Sequence, residues 1–87
     1  MKRITLRQYE RIAEDHNKHN SGDNYDWEDV IYDEVLCGNN IKRDLDRMSR
    51  RETLDVIETA ADHLIGGFDK TWYTIYKTGL TSLEERL

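Results

Sequence analysis

Apolar residues recur along most of the chain with the three-to-four-residue spacing of amphipathic helices. The first such segment predicts a helix from about Leu6 to Asn17. The residues expected on its inner face are Leu6, Tyr9, Ile12, Ala13 and His16. A polar, turn-rich stretch over residues 19–26 follows, and we expect it to form a loop.

The same spacing predicts three further helices in the middle of the chain. One should run from Trp27 to Cys37, a short one should follow Asn40, and the longest should run from Arg50 to Ile65. Their predicted inner residues are, in that order, Trp27, Val30, Ile31 and Val35; Ile41, Leu45 and Met48; and Leu54, Ile57, Ala61 and Leu64.

These segments begin and end with residues that are typical of helix termini. Asp26, Asn40 and Asp69 suit the N-cap position, where a side-chain oxygen accepts a free backbone N–H. Gly38 and the pair Gly66-Gly67 suit helix ends. Three capping boxes, each pairing Ser or Thr with Glu or Gln three residues later, are predicted: Thr5 with Gln8, Ser49 with Glu52, and Thr81 with Glu84. Ile4 and Tyr9 occupy the positions of a hydrophobic staple.

The last segment is the most ambiguous. Residues 71–76 are rich in β-branched and aromatic side chains, which a strand would favour. We predict helix instead, with Trp72, Ile75 and Tyr76 facing inward, because Asp69 precedes the segment and a single strand has nothing to pair with. Gly79 is expected to end this helix, and a final turn should follow. The predicted fold is all-α, a compact bundle of about five short helices, in one domain over 1–87.

The composition indicates where in the cell the protein is expected and whether it could span a membrane. The chain has 87 residues, 36% of them charged, with no proline and a single cysteine, Cys37. A lone cysteine cannot form an intrachain disulfide, which favours a cytoplasmic location. No apolar run approaches the roughly 20 residues of a membrane span, so we expect no membrane partner.

Charge is segregated along the chain more strongly than the net charge of −5 suggests. Between Lys18 and Lys42 there are six acidic residues and no Lys or Arg, and between Arg51 and Lys70 there are five and again none. By contrast, the segment from Lys42 to Arg51 has five basic and two acidic residues. Like charges at helical spacing repel, so stability alone would favour interleaved Lys and Arg.

These acidic blocks predict a protein-binding inhibitor or adaptor. A negative surface on rigid helices speeds encounter with a basic partner and can occupy a groove built for phosphates. Tyrosines among the carboxylates could contact arginine. In size and charge alone, the chain is similar to the small acidic nucleic-acid mimics that phages and mobile elements direct against restriction or CRISPR enzymes. The candidate partner-binding residues are Asp23, Tyr25, Asp26, Glu28, Asp29, Tyr32, Asp33, Glu34, Asp55, Glu58 and Asp62.

Three alternatives stay open at this stage. The acidic residues could form an ordinary solvated face with no partner. The chain could be a small regulatory or oligomerisation module whose apolar faces meet in a homodimer. It could also bind DNA through Lys42, Arg43, Arg47, Arg50 and Arg51, although the following helix carries acidic residues that phosphates would repel.

No pattern predicts an enzyme, a metal site or a cofactor. His16 and His19 are spaced as possible ligands, but a second pair at ligand spacing is missing, so a packed His16 is expected. Cys37 is placed near a helix C-terminus, where the helix dipole disfavours a thiolate. We therefore expect no catalytic residues.

Overall fold

A computed structural model describes residues 6–20, 22 and 24–86, and five helices account for most of them. The all-α bundle predicted from the sequence is confirmed, and residues 71–77 are helical. The helices are α1 (Leu6–His19), α2 (Trp27–Leu36), α3 (Lys42–Arg47), α4 (Arg50–Ile65) and α5 (Lys70–Glu85). None of these helices is both long and apolar enough to cross a bilayer.

Helix α5 packs against three other helices of the bundle. It packs along α4 as an antiparallel hairpin and also contacts α2 and α3, while α1 packs against α2. The core between them contains five large apolar side chains that are at most 1% exposed: Ile31, Leu45, Met48, Val56 and Ile75. Burial of such side chains is the main favourable term in the stability of a domain this small.

Most of the predicted caps form as expected. The Asp26 side chain accepts the backbone N–H groups of Glu28 and Asp29, and the Ser49–Glu52 capping box is complete. Asp69 caps α5, and Gly38 adopts a positive φ of 88° just after α2. The predicted box and staple at the start of α1 involve Thr5 and Ile4, which lie outside the described residues.

Glu52 links the start of α4 to the start of α1. One carboxylate oxygen accepts the Ser49 hydroxyl, and the other accepts the Leu6 backbone N–H at 2.8 Å. A free amide at the beginning of one helix is thus satisfied by a side chain from another helix.

The predicted inner faces of α1 and α4 need correction. Ile12 is 53% exposed, whereas Leu6, Tyr9 and Ala13 are buried. In α4 the buried residues are Thr53, Val56, Ile57 and Ala60, so the inner stripe is displaced from the predicted Leu54, Ile57, Ala61 and Leu64.

Thr53 explains the displacement in α4. Its hydroxyl is fully buried and donates towards the Leu45 and Ser49 carbonyls, at 3.2 and 3.1 Å. Because these bonds compensate for burial, a polar residue can occupy a core position that an apolar pattern does not register.

Gly79 does not end the last helix, contrary to the prediction. It lies inside α5, which continues to Glu85 and absorbs the expected final turn at Thr81–Glu84. A Cβ atom at Gly79 would lie 2.5 Å from Cγ1 of Ile57 on α4. Glycine is therefore required there for the close approach of two helices rather than for a turn.

The Arg86 guanidinium joins the end of α5 to the end of α3. It donates to the carbonyl oxygens of Met48 and Leu45 at 2.8 and 2.6 Å, and to the hydroxyls of Thr53 and Ser82. The carbonyls at the end of a helix have no partner within that helix, and the planar guanidinium satisfies two of them together.

We predict that Gly79→Ala destabilises the protein by about 1–3 kcal/mol, because the added methyl group overpacks against Ile57. Gly66→Ala is the matched control: its Cβ would approach only the His63 carbonyl, at 3.7 Å, and its backbone is already helical. This control should be neutral or stabilising by up to about 1 kcal/mol. Urea unfolding measures both, and equal midpoints for the two variants would contradict the close approach.

We predict that Arg86→Ala lowers the free energy of unfolding by roughly 1–3 kcal/mol, because the Met48 carbonyl loses its guanidinium donor and the Leu45 carbonyl keeps only the Thr53 hydroxyl and the Met48 N–H. Arg86→Lys should rescue little, since an ammonium group cannot reproduce the planar fork. Arg43→Ala removes an exposed arginine and should change stability by less than about 0.5 kcal/mol. An Arg86→Ala protein as stable as Arg43→Ala would show that these hydrogen bonds add nothing.

Candidate acidic interface

The first turn of α2 positions the acidic residues of the candidate site. Asp26 caps the helix and Asp29 closes the capping box by accepting the Asp26 backbone N–H at 3.1 Å. Carboxylates are favourable at this end of a helix because they face its positive dipole and its free N–H groups. The local sequence therefore fixes these carboxylates in place.

Two open grooves meet at this turn. The α1–α2 groove, of about 370 Å³, is lined by Glu10, Ala13, Glu14, Tyr25, Asp26 and Trp27. The α2–α5 groove, of about 270 Å³, is lined by Asp26, Glu28, Asp29, Tyr32, His63, Asp69 and Trp72. The first volume lies within, and the second just below, the range of roughly 300–1,000 Å³ that is typical of small-molecule pockets.

Because Asp26 lines both grooves, they form one surface, which we call the acidic face. It contains six carboxylates, and no Lys or Arg among the described residues lines it. The carboxylates are those of Glu10, Glu14, Asp26, Glu28, Asp29 and Asp69.

A cluster of aromatic rings forms the floor of the α2–α5 groove. The His63 ring stacks on Trp72 with a centroid distance of 4.1 Å and an interplanar angle of 5°, and Tyr32 contacts the same tryptophan at 5.5 Å. Nε2 of His63 lies 3.3 Å from a carboxylate oxygen of Glu28. This contact is where α2 meets the last turn of α4.

Asp69 connects the aromatic cluster to the start of α5. Its side chain accepts the Thr71 and Trp72 backbone N–H groups, and its other oxygen accepts the Tyr32 hydroxyl at 3.1 Å. The pKa of Asp69 lies below its ordinary value mainly because the Trp72 N–H stabilises the carboxylate. The Tyr32 hydroxyl, the Thr71 N–H and the nearby His63 act in the same direction, against partial desolvation.

The structure brings together five of the predicted partner-binding residues. Asp26, Glu28, Asp29 and Tyr32 line the α2–α5 groove, and Tyr25 lines the α1–α2 groove next to His16, with ring centroids 4.3 Å apart. Asp23 lies outside the described residues.

The remaining predicted residues lie apart from these grooves. Asp33 is exposed further along α2, and the Glu34 carboxylate accepts the Asn39 side-chain amide at 2.7 Å. Asp55, Glu58 and Asp62 lie on the side of α4 that faces away from the core. The acidic residues of α2 and α4 thus do not merge into one broad stripe, since α5 packs against both helices and α2 meets α4 at Glu28 and His63.

The Lys–carboxylate ion pairs of the described residues lie away from the candidate carboxylates. Within the described residues, none of the candidate carboxylates lies within 4.0 Å of a Lys or Arg nitrogen, and Glu28 pairs with His63. The Lys42 ammonium instead contacts Asp46, at 3.0 Å, and Glu85. Glu14 also lines a groove with Arg11 and Lys18, so the negative charge of the acidic face is concentrated at Asp26, Glu28, Asp29 and Asp69.

Sequence analysis did not predict six of the groups that line the acidic face: Glu10, Glu14, Trp27, His63, Asp69 and Trp72. Trp27 and Trp72 were expected in the core and Asp69 only as an N-cap, and no partner-binding role was assigned to Glu10, Glu14 or His63. His63 and Glu28 are 35 residues apart, so no local pattern connects them. The position of His63 in the last turn before Gly66 could have indicated that it lies at an end of the bundle.

The basic segment forms a separate groove lined by Lys42, Arg43 and Arg47 with Asn40 and Asp46. Asp46 is partly desolvated, which would raise its pKa, but hydrogen bonds from Ser82 and Lys42 outweigh this effect and lower it. Lys42 is thus engaged with acidic neighbours, whereas Arg43 and Arg47 have no ion pair among the described residues.

Across all the residues that the structure describes, no group of three or more His, Cys, Asp or Glu side chains is arranged to hold a metal ion.

We predict that Tyr32→Phe raises the pKa of Asp69 towards its ordinary value of about 4, because it removes a hydrogen bond to the carboxylate. A carboxyl whose pKa is lowered by folding stabilises the protein above its unfolded pKa, and the stabilisation is lost as the pH falls through the folded pKa. Carboxyl-carbon NMR titration measures the change. Tyr73→Phe is the control, since the exposed Tyr73 hydroxyl has no partner among the described residues; identical titrations of Asp69 in both variants would contradict the bond.

No protein-family model matches the chain, and comparisons with curated proteins and with solved structures likewise find no match. A function must therefore be argued from the acidic face itself.

Proposed function

We propose that the protein is a non-enzymatic inhibitor or adaptor whose acidic face binds the nucleic-acid-binding surface of a basic protein. The single observation that carries this proposal is the continuity of the two grooves, which places six carboxylates side by side with no Lys or Arg among the described lining residues. Such a surface complements a groove in which Lys and Arg are spaced to bind phosphates.

The way the carboxylates are held supports this role over that of a passively solvated face. Asp26, Asp29 and Asp69 accept backbone N–H groups, and Glu28 contacts His63. Their positions are therefore set before binding, so little side-chain entropy is lost when a partner binds.

Aromatic rings beside the carboxylates suit arginine in particular. A guanidinium can form a bidentate pair with a carboxylate while its plane stacks on an aromatic ring. Tyr25 and Trp27 in one groove, and Tyr32 in the other, supply partly exposed rings next to the acidic groups. We therefore place the centre of the interface at the start of α2, with Asp55, Glu58 and Asp62 of α4 at its periphery.

DNA binding through the basic groove is the second candidate. Arg43 and Arg47, free of ion pairs among the described residues, favour it. The engagement of Lys42 by Asp46 and Glu85 and the outward carboxylates of α4 oppose it, because phosphates would be repelled. A mobility-shift assay at low salt distinguishes the two: a duplex shifted by the wild type, and not by Arg43→Gln/Arg47→Gln, would support DNA binding.

The main proposal is tested with two triple variants that remove the same charge from different faces. Asp26→Asn/Glu28→Gln/Asp69→Asn neutralises three of the six carboxylates of the acidic face, and Asn retains the N-cap hydrogen bonds. Asp55→Asn/Glu58→Gln/Asp62→Asn neutralises α4. Each protein is immobilised and exposed to a nuclease-treated lysate, and bound proteins are eluted with duplex DNA.

We expect the wild type to retain DNA-elutable proteins at low salt. The acidic-face variant should bind them at least about tenfold more weakly, because a close charge pair across an interface contributes roughly 1.5 kcal/mol or more. The α4 variant should lose much less. Equal loss in both variants would show that net charge alone is responsible, and equal retention would exclude the acidic face as the interface.

A further inference from the structure

His63 occupies the α2–α5 groove in the way that we expect of an arginine from a partner. Its ring stacks on Trp72, with centroids 4.1 Å apart and planes within 5° of parallel, and its Nε2 atom lies 3.3 Å from a carboxylate oxygen of Glu28. A guanidinium bound there would make the same two kinds of contact, one with a ring and one with a carboxylate. Trp72 is only 6% exposed, and His63 covers one face of its ring.

The fold holds His63 between three helices. His63 lies in the last turn of α4, Glu28 in the first turn of α2 and Trp72 in the first turn of α5. The His63 side chain is nevertheless 44% exposed, so it can exchange protons with solvent. A positive charge is also favourable at the C-terminal end of a helix, where the helix dipole is negative.

Among the described residues that line this groove, His63 is the only one that can become positively charged. The titratable groups that share the groove with it are Asp26, Glu28, Asp29 and Tyr32 of the α2 segment and Asp69 at the start of α5. His63 lies close enough to Asp69 to contribute to the lowered pKa of that carboxyl, after the larger effect of the Trp72 N–H. Asp62, which precedes His63 on α4, is exposed, and Lys70, which follows Asp69, is exposed and does not line the groove.

The charge of His63 changes what the groove offers to a partner. Histidine ordinarily gains a proton between about pH 8 and pH 5, whereas carboxyl groups ordinarily titrate near pH 4 and stay ionised in that range. A neutral imidazole leaves the negative charge of Glu28 in place. An imidazolium neutralises that charge, adds a positive charge near Asp69 and is attracted more strongly to the indole ring.

We propose that His63 is a pH-dependent gate of the α2–α5 groove: when neutral it yields Glu28 and the face of Trp72 to an arginine of the basic partner, and when protonated it keeps both. This inference rests on the proposed function and adds how binding is regulated. The partner is bound near neutral pH and released when the solution becomes mildly acidic. The gate is an internal competitor, because it makes the contacts that the partner's cation would otherwise make.

An arginine–serine peptide with blocked ends tests the gate, because guanidinium groups stay charged and the charge of the peptide is then independent of pH. Its affinity is measured by calorimetry at about pH 7.5 and about pH 5.5, on either side of the ordinary titration of histidine. His63→Gln removes the titratable group, and His63→Arg places a permanent cation at the same position. His19→Gln is the matched control, because His19 is exposed at the end of α1 and lines neither groove. Circular dichroism at both pH values shows whether each variant is folded.

We expect the wild type and His19→Gln to bind the peptide about threefold or more weakly at the lower pH, because one carboxylate is neutralised and one positive charge is added. His63→Gln should lose most of this pH dependence. His63→Arg should bind as weakly at the higher pH as the wild type does at the lower pH. His16, which contacts Tyr25 of the other groove, is kept in every variant, so any pH dependence that it adds is common to all of them.

Two results would overturn the gate. One is an equal loss of affinity at low pH in the wild type and His63→Gln, and the other is binding by His63→Arg as tight as that of the wild type at the higher pH. A wild type that binds equally at both pH values, while the acidic-face variant binds weakly, would remove the gate and leave the proposed function in place. If the acidic-face variant binds the peptide as tightly as the wild type at the higher pH, the proposed function itself fails.

Discussion

The close approach of α4 and α5 at Gly79 is the constraint on which the rest of the fold depends. Ile57 occupies the space that any larger residue at position 79 would need, so the Ile57 side chain of α4 packs directly against the backbone of α5. With α5 held at this distance, its other sides are free to receive α2 and α3. The hairpin also sets where Trp72 and Asp69 stand relative to Tyr32, and so it determines the shape of the α2–α5 groove. A small domain buries a smaller fraction of its surface than a large one, so a single close helix–helix contact has a large effect on its stability.

The features of the fold that could be predicted from the sequence are those governed by neighbouring residues. The caps at Asp26, Ser49 and Asp69 depend on residues two or three positions away, and all three form. The inner face of α4 and the role of Gly79 depend instead on contacts with residues of other helices. Thr53 is a core residue because the Leu45 carbonyl of α3 and the Arg86 side chain form hydrogen bonds with its hydroxyl. Gly79 lies inside α5 because the Ile57 side chain packs against it. Apolar periodicity carries no information about either partner.

The candidate site likewise combines features that can be predicted from neighbouring residues with features that depend on distant ones. Segregation of acidic from basic residues is visible in the sequence, and the first turn of α2 keeps its carboxylates together in space. How that turn joins other elements is set by contacts across the chain, such as Tyr32 with Asp69, 37 residues apart. Glu34 shows the opposite case: adjacent in sequence to the other acids of α2, it turns towards Asn39 instead. Helical spacing places side chains on a face, but only tertiary packing decides which faces meet.

The two tryptophans give the protein a built-in optical probe of its grooves. Trp27 lines one groove and Trp72 lines the other, and the chain has no further tryptophan. Indole emission responds to the polarity around the ring and to neighbouring imidazole, so each groove should carry its own fluorescence signal. Replacing one indole at a time would make emission from the other report occupancy of a single groove, with no dye attached. Whether a molecule enters from the α1 side or from the α5 side could then be read directly from the colour and intensity of the emitted light.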